Sequence, residues 1–183
     1  MSDKPGPMRS KSIYFLLSAM VLVADQVTKA WATMSLKPIG SIEIIPGVFR
    51  LSYALNRGVA FSLLADSELQ IRWVLAAISV GAALMVLAYM SRTSPSRARM
   101  NGSLALLLAG IVGNLIDRVR LGEVVDFLDI HWLDRFTWPT FNLADAAICF
   151  GAALLALELL REERAASLKT QAPAPEESGI GSD

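Results

Sequence analysis

Four long apolar stretches decide what this chain can fold into. They run over about residues 13–33, 73–90, 102–119 and 141–160, and a helix of about 20 residues crosses the ~30 Å hydrocarbon core of a bilayer. In lipid every backbone N–H and C=O must find its partner inside the protein, so such stretches become helices rather than open strands. With 54% hydrophobic and 19% charged residues, the chain is too apolar for an ordinary soluble domain. The expected class is a membrane all-α protein with four transmembrane helices. The third stretch is the least regular, because it carries Asn114, Asp117 and Arg118 near one end.

The placement of the basic residues sets the orientation. Lys4, Arg9 and Lys11 precede the first span, Arg92, Arg97 and Arg99 crowd the link between the second and third, and Arg161, Arg164 and Lys169 follow the fourth. By the positive-inside rule both termini and this link are cytoplasmic. Residues 34–72 and 120–140 then face outward. The net charge is zero, and nothing points to a nucleic-acid partner.

The first outward segment has a strand period. Ile42 and Ile44 alternate with Ser41 and Glu43, Pro46-Gly47 signals a turn, and Phe49, Leu51, Tyr53 and Leu55 alternate with Arg50, Ser52, Ala54 and Asn56. That predicts a small extracytoplasmic β-hairpin or sheet cradle over about residues 40–64, packed over the helix ends at the outer membrane face. Residues 165–183, rich in Ala, Pro, Glu, Ser and Gly without periodicity, are expected to form a disordered cytoplasmic tail. Residues 1–164 then make one membrane domain. The N-terminus imitates a cleavable secretory signal, but Asp25, Gln26 and Lys29 interrupt it before Ala30-Trp31-Ala32, so the first span is expected to be retained.

Few hydrolytic chemistries survive the inventory. One cysteine, Cys149, and one histidine, His131, rule out zinc sites built from several such ligands. There is no G-x-S-x-G, and His131 lies in Ile130-His131-Trp132-Leu133, which reads as an interfacial loop or short helix. Carboxylates remain.

Polar residues inside spans cost roughly 2.5–3.5 kcal/mol each for a mid-membrane charge, and so are functional suspects. They form three groups here: Asp25 with Lys29; Asn114 with Asp117 and Arg118; Asn142 with Asp145. With the orientation above, all three fall at one depth near the outer interface. Gly110, Gly113, Asn114 and Asp117 share one face of the third helix, where glycines permit close approach. Asp25 has Lys29 at i+4 and Asp117 has Arg118 beside it, which reads as two structural ion pairs. Asp129 and Asp134 sit beside His131 and Arg135. Two carboxylates have no local cation: Asp126, within Val124-Val125-Asp126-Phe127-Leu128, and Asp145, within Leu143-Ala144-Asp145-Ala146-Ala147. Such settings disfavour an isolated charge. Two carboxylates brought face to face share a proton and act as a unit, one activating water and the other polarising an amide carbonyl. A proton-coupled membrane transporter using intramembrane carboxylates is the alternative, and a non-catalytic scaffold the third reading. A transporter would carry polar groups through the whole membrane depth, whereas the cytoplasmic halves of these spans lack ionisable residues.

Five strings resemble signature blocks of bacterial lipoprotein signal peptidase, also called signal peptidase II. They are Asp25-Gln26-Val27-Thr28-Lys29, Asn56-Arg57-Gly58-Val59-Ala60-Phe61-Ser62, the run from Gly110 to Arg118, Val124-Val125-Asp126-Phe127 and Phe141-Asn142-Leu143-Ala144-Asp145. They occur in the family's order across about residues 12–160. The resemblance implies an inner-membrane aspartic endopeptidase that removes the signal peptide of prolipoproteins just before a diacylglyceryl-modified cysteine, with its site near the periplasmic face. It assigns the catalytic pair to Asp126 and Asp145 and implies no metal or cofactor. Asp25, Lys29, Asn56, Gly58, Asn114, Asp117, Arg118 and Asn142 match positions that line or support the site. The implied partners are lipid-modified prolipoproteins, membrane lipids and cyclic-peptide inhibitors such as globomycin.

Overall fold

The computed structural model describes residues 11–58, 68–132 and 136–171. Four helices carry the chain: α1 (Ser12–Ser35), α2 (Glu68–Arg92), α3 (Ala98–Leu121) and α4 (Leu143–Gln171). Helix α3 packs against each of the other three. Its glycines allow this. A Cβ at Gly110 would strike the backbone carbonyl of Ala144, and one at Gly113 would lie 2.6 Å from Asp25 Oδ2 and 3.2 Å from the Ala144 side chain. Gly151 returns the favour from α4, its Cβ position lying 2.9 Å from the Ser103 carbonyl oxygen. Only glycine lets helix backbones approach this closely.

Three helices, Ser12–Ser35, Ile71–Arg92 and Leu143–Leu168, are long and apolar enough to cross a membrane. Helix α3 is not among them, so length and composition carry three of the four expected spans. The difference has a physical basis. Helix α3 buries Asn101, Ser103, Asn114 and Asp117 together with much of its apolar surface, so its surroundings are other helices more than solvent. The other three turn large apolar side chains outward, with Met20 62%, Leu84 60% and Phe150 68% exposed. Surfaces of that kind need lipid around them.

A four-stranded antiparallel sheet covers one end of the bundle, in the order β1 (Ser41–Ile45), β2 (Phe49–Asn56), β3 (Val124–Trp132) and β4 (Phe136–Thr137). The expected hairpin is β1 and β2, turning at Gly47 with φ 73°. The Glu43 carboxylate accepts the Gly47 N–H at 2.9 Å. Residues 59–64 of the expected cradle lie outside the described residues. Strand β3 corrects the reading of residues 130–133 as loop or short helix, since Ile130, His131 and Trp132 are strand residues, while Leu133 lies outside the described residues. An isolated hairpin would leave the open edge of β2 unpaired at the membrane surface, and β3 fills it, with Leu51 opposite Leu128 and Ala54 opposite Asp126. Leu51, Tyr53, Phe127 and Leu128 pack on Ala32 and Leu36 at the end of α1. Phe141, just before α4, bonds to β3 through its carbonyl oxygen, which accepts the Phe127 N–H at 3.0 Å. That bond brings the start of α4 beside the middle of β3. At the opposite end of the bundle Tyr14, Met90, Met100, Leu104 and Ala105 form a second core.

Helix α4 runs on to Gln171, so residues 165–171, expected to be disordered, are helical. Residues 172–183 lie outside the described residues.

Candidate active site

The ends of α1 and α3, the start of α4 and the strands β2 and β3 meet at one place, and the polar residues of all five meet there. At the centre lies a buried ionic cluster. Lys29 Nζ is 3.0 Å from Asp25 Oδ2 and 2.9 Å from Asp117 Oδ2, with all three side chains about 95% buried or more. Its third hydrogen goes to Asn114 Oδ1 at 2.9 Å. The expected Asp25–Lys29 pair is present. The expected Asp117–Arg118 pair is not, because successive helix residues point about 100° apart. Arg118 instead donates to the Asn114 carbonyl at 3.3 Å, and Asp117 turns inward to Lys29. Asp117 Oδ2 also accepts the Val125 N–H at 3.2 Å, next to Asp126. Asp25 Oδ1 accepts the Ala144 N–H at 2.8 Å, next to Asp145. Each carboxylate of the cluster thus holds the backbone beside one member of the Asp126–Asp145 pair.

Gln26 completes the cluster and was not anticipated. Its Nε2 reaches Asp25 Oδ2 and Asp117 Oδ1, both at 3.1 Å, and the Gly113 carbonyl at 3.3 Å. The signal was its place beside Asp25 within an apolar span, where an amide needs partners.

Asp126 and Asp145 come together through three asparagines. Asp126 is 1% exposed. Its Oδ2 accepts from Asn56 Nδ2 at 2.9 Å and its Oδ1 from Asn142 Nδ2 at 2.6 Å. Asp145 Oδ1 accepts from Asn114 Nδ2 at 2.7 Å, and its Oδ2 from the Asn142 N–H at 3.2 Å. Asn142 also caps α4, its Oδ1 accepting the Asp145 N–H at 2.9 Å, the reciprocal bonding of a helix N-terminus. Burial pushes the Asp126 carboxyl up to about 6, and the Asp145 carboxylate pushes the same way. Hydrogen bonds from Asn56 and Asn142 and the Lys29 charge pull against them. Gly58 has φ 74°, and its N–H donates to Asn56 Oδ1 at 2.8 Å, which aims Asn56 Nδ2 at Asp126. A side chain at Gly58 would also meet Leu75 Cδ1 at 2.6 Å.

The remaining candidates fall outside this constellation. Asp129 is paired with Arg50 Nε at 2.6 Å and accepts from Ser52 Oγ at 3.2 Å, so its partners are across the sheet in β2. Asp134 and residues 59–62 of the second block lie outside the described residues. His131 is buried with its Nε2 3.2 Å from the Glu43 carboxylate. Cys149 is exposed. Among the described residues no group of three His, Cys, Asp or Glu side chains is placed to hold a metal ion. A cavity of about 260 Å³ borders Lys29, Asp117 and Gln26 but neither Asp126 nor Asp145.

The model of the family described as signal peptidase (SPase) II matches residues 17–161. The chain is 43% identical over 152 residues to a protein of Geobacter metallireducens named lipoprotein signal peptidase, covering 83% of this chain and 93% of that one. A protein of the same name from Ectopseudomonas mendocina is 42% identical over 158 residues, covering 86% and 94%. Among solved structures, a bacterial membrane enzyme determined by the in meso method at 2.3 Å superposes with a TM-score of 0.72 at 29% identity, over 89% of this chain and 94% of that one. Sequence and fold therefore agree over most of the molecule: the chain belongs to the signal peptidase II family.

Proposed function

We propose that this protein is an aspartic endopeptidase in which Asp126 and Asp145 hydrolyse a peptide bond at the outer membrane face. The substrate is a prolipoprotein, cut just before its diacylglyceryl-modified cysteine. Four helices span the inner membrane in this reading, α3 among them, both termini are cytoplasmic, and residues 1–164 form one peptidase domain. The observation that carries the chemistry is the buried Asp126 carboxyl, held up at about 6 with the Asp145 charge as one of its causes. Asn142 bonds to both residues. A pair poised in this way takes up a single proton around pH 6.

The ionised member takes a proton from a water molecule as its oxygen attacks the amide carbonyl carbon. The protonated member gives its proton to the carbonyl oxygen, forming a tetrahedral gem-diol. Collapse of that intermediate returns a proton to the leaving nitrogen and breaks the C–N bond. The names of the relatives support the substrate class, and the exposed apolar helices support a lipid-anchored one. Cyclic-peptide inhibitors such as globomycin are expected to compete for the same site. The test is single-turnover cleavage of a lipidated prolipoprotein in detergent by Asp126→Asn and Asp145→Asn. Each variant should fold, bind substrate and lose turnover about as completely as the double variant. Either one keeping more than about a tenth of the wild-type rate sinks the two-aspartate reading, since a shared proton leaves no such residue.

A further inference from the structure

Every protein group that the described residues bring to the Asp126 and Asp145 carboxylates is a hydrogen-bond donor. Asp126 receives Asn56 Nδ2 and Asn142 Nδ2, and Asp145 receives Asn114 Nδ2 and the Asn142 N–H. An asparagine amide can donate or accept, so this uniformity needs a cause at each of the three side chains. Backbone supplies it twice. The Gly58 N–H can only donate, and it claims Asn56 Oδ1. The Asp145 N–H can only donate, and it claims Asn142 Oδ1. In both cases the amide must present its NH2 to Asp126.

Among the described residues no backbone group settles Asn114. Its oxygen faces Lys29 Nζ at 2.9 Å and Asn142 Nδ2 at 3.2 Å. Ammonium has three donors and no acceptor. Lys29 is locked in place by Asp25 and Asp117, and it is 3% exposed. Turning Asn114 over would set its NH2 against an ammonium and against a second NH2, and would offer its carbonyl to Asp145. In that orientation Asn114 could accept a hydrogen bond from a protonated Asp145 and so hold its O–H turned away from the substrate.

We propose that Lys29 is a positioning residue that keeps Asn114 a donor in both protonation states of the pair, so that among the described residues the catalytic proton meets no acceptor other than the two carboxylates. This goes beyond a stabilising ion pair: Lys29 sets the direction of a hydrogen-bond chain that runs from Asp25 and Asp117 through Asn114 to Asp145. It rests on the catalytic reading of Asp126 and Asp145.

The test removes one charge of each sign, leaving the Asp25 carboxylate its bonds from Gln26 Nε2 and the Ala144 N–H. Lys29→Gln combined with Asp117→Asn removes one cation and one anion, leaving the net charge of the Asp25–Lys29–Asp117 cluster unchanged. Glutamine can either donate or accept, so the instruction to Asn114 is lost. Single-turnover rate and KM on a lipidated prolipoprotein are measured for this variant, for Asn114→Ala and for the two combined, with thermal unfolding and Asp126→Asn alongside. The expected result is a folded variant with kcat down about tenfold or more and KM within about twofold, and no further loss in the Asn114→Ala background, because the effect passes through Asn114. Wild-type kcat in the folded variant overturns the proposal, and so does a loss that persists undiminished when Asn114 is already alanine. If the exchange variant does not fold, Asn114→Asp decides: it leaves Lys29 its oxygen and turns the group facing Asp145 into an acceptor. Loss of kcat at constant KM supports the proposal, and retention of more than about a third of the rate overturns it. An active Asp126→Asn overturns the catalytic reading itself, whereas an inactive Asp126→Asn beside an unaffected exchange variant overturns only the role of Lys29.

Discussion

Two glycines of α3 receive the same methyl group in the most exacting stability prediction. At Gly102 an added Cβ meets nothing within 4 Å, whereas at Gly113 it meets Asp25 Oδ2 at 2.6 Å and both Asp25 Cγ and the Ala144 Cβ at 3.2 Å. Both positions lie inside the helix, so replacing glycine by alanine gains about 0.5–1 kcal/mol of helix propensity in each. That gain cancels when the two variants are compared. What remains is overpacking, typically about 1–3 kcal/mol, and the Asp25 carboxylate is poorly able to relieve it. Asp25 holds Lys29 at 3.0 Å and the Ala144 N–H at 2.8 Å, so any retreat weakens an ion pair and a bond at the start of α4. Gly102→Ala should therefore unfold later than wild type in a denaturant series in detergent, and Gly113→Ala earlier, the two differing by about 1–3 kcal/mol. Gly113→Ala should also lose cleavage activity, since Ala144 is the neighbour of Asp145. Equal stabilities for the two variants would refute the idea that the α3–α4 contact is closed by Asp25.

Lys29→Met strands Asp25 and Asp117 as buried carboxylates and should cost about 3–5 kcal/mol, most of it recovered when both are also changed to Asn; unfolding in detergent measures both. The Asp126 carboxyl at about 6, against 3.8 ordinarily, means that the folded state binds more protons than the unfolded chain between those values. Its contribution to stability is therefore full below about pH 4 and is lost as pH rises to about 6. Asp126→Asn should accordingly be more stable than wild type at pH 7–8, by an amount of order 1–3 kcal/mol, and no more stable below about pH 4. A gain of the same size at both ends would count against the buried carboxyl. Cys149→Ala should keep wild-type turnover, because the thiol is exposed and bonds to none of the site residues; a substantial loss in single-turnover cleavage would give Cys149 a role.

Much of the site was readable from the chain because lipid leaves few options. A charged residue such as Asp25 inside an apolar helix must find a partner, so its presence marked a candidate site, and the 3.6-residue period put Gly110, Gly113, Asn114 and Asp117 on one face of α3. The β1–β2 hairpin was legible from its period of two. Partner choice was not. Asp117 has Arg118 beside it in the chain, yet helix geometry turns Arg118 aside and sets Asp117 against Lys29, 88 residues earlier. Strand β3 carries no clean alternation, since Val124 through Phe127 are all buried, and the need for it arises only when the edge of β2 exists. The three asparagines were each visible as suspects. Whether an amide gives or receives a hydrogen bond, however, is fixed by what faces its far end, and those groups come from Gly58, Lys29 and the first turn of α4. Local periodicity and the cost of polarity in lipid determined where the site had to be, while only tertiary packing could decide which donor meets which acceptor within it.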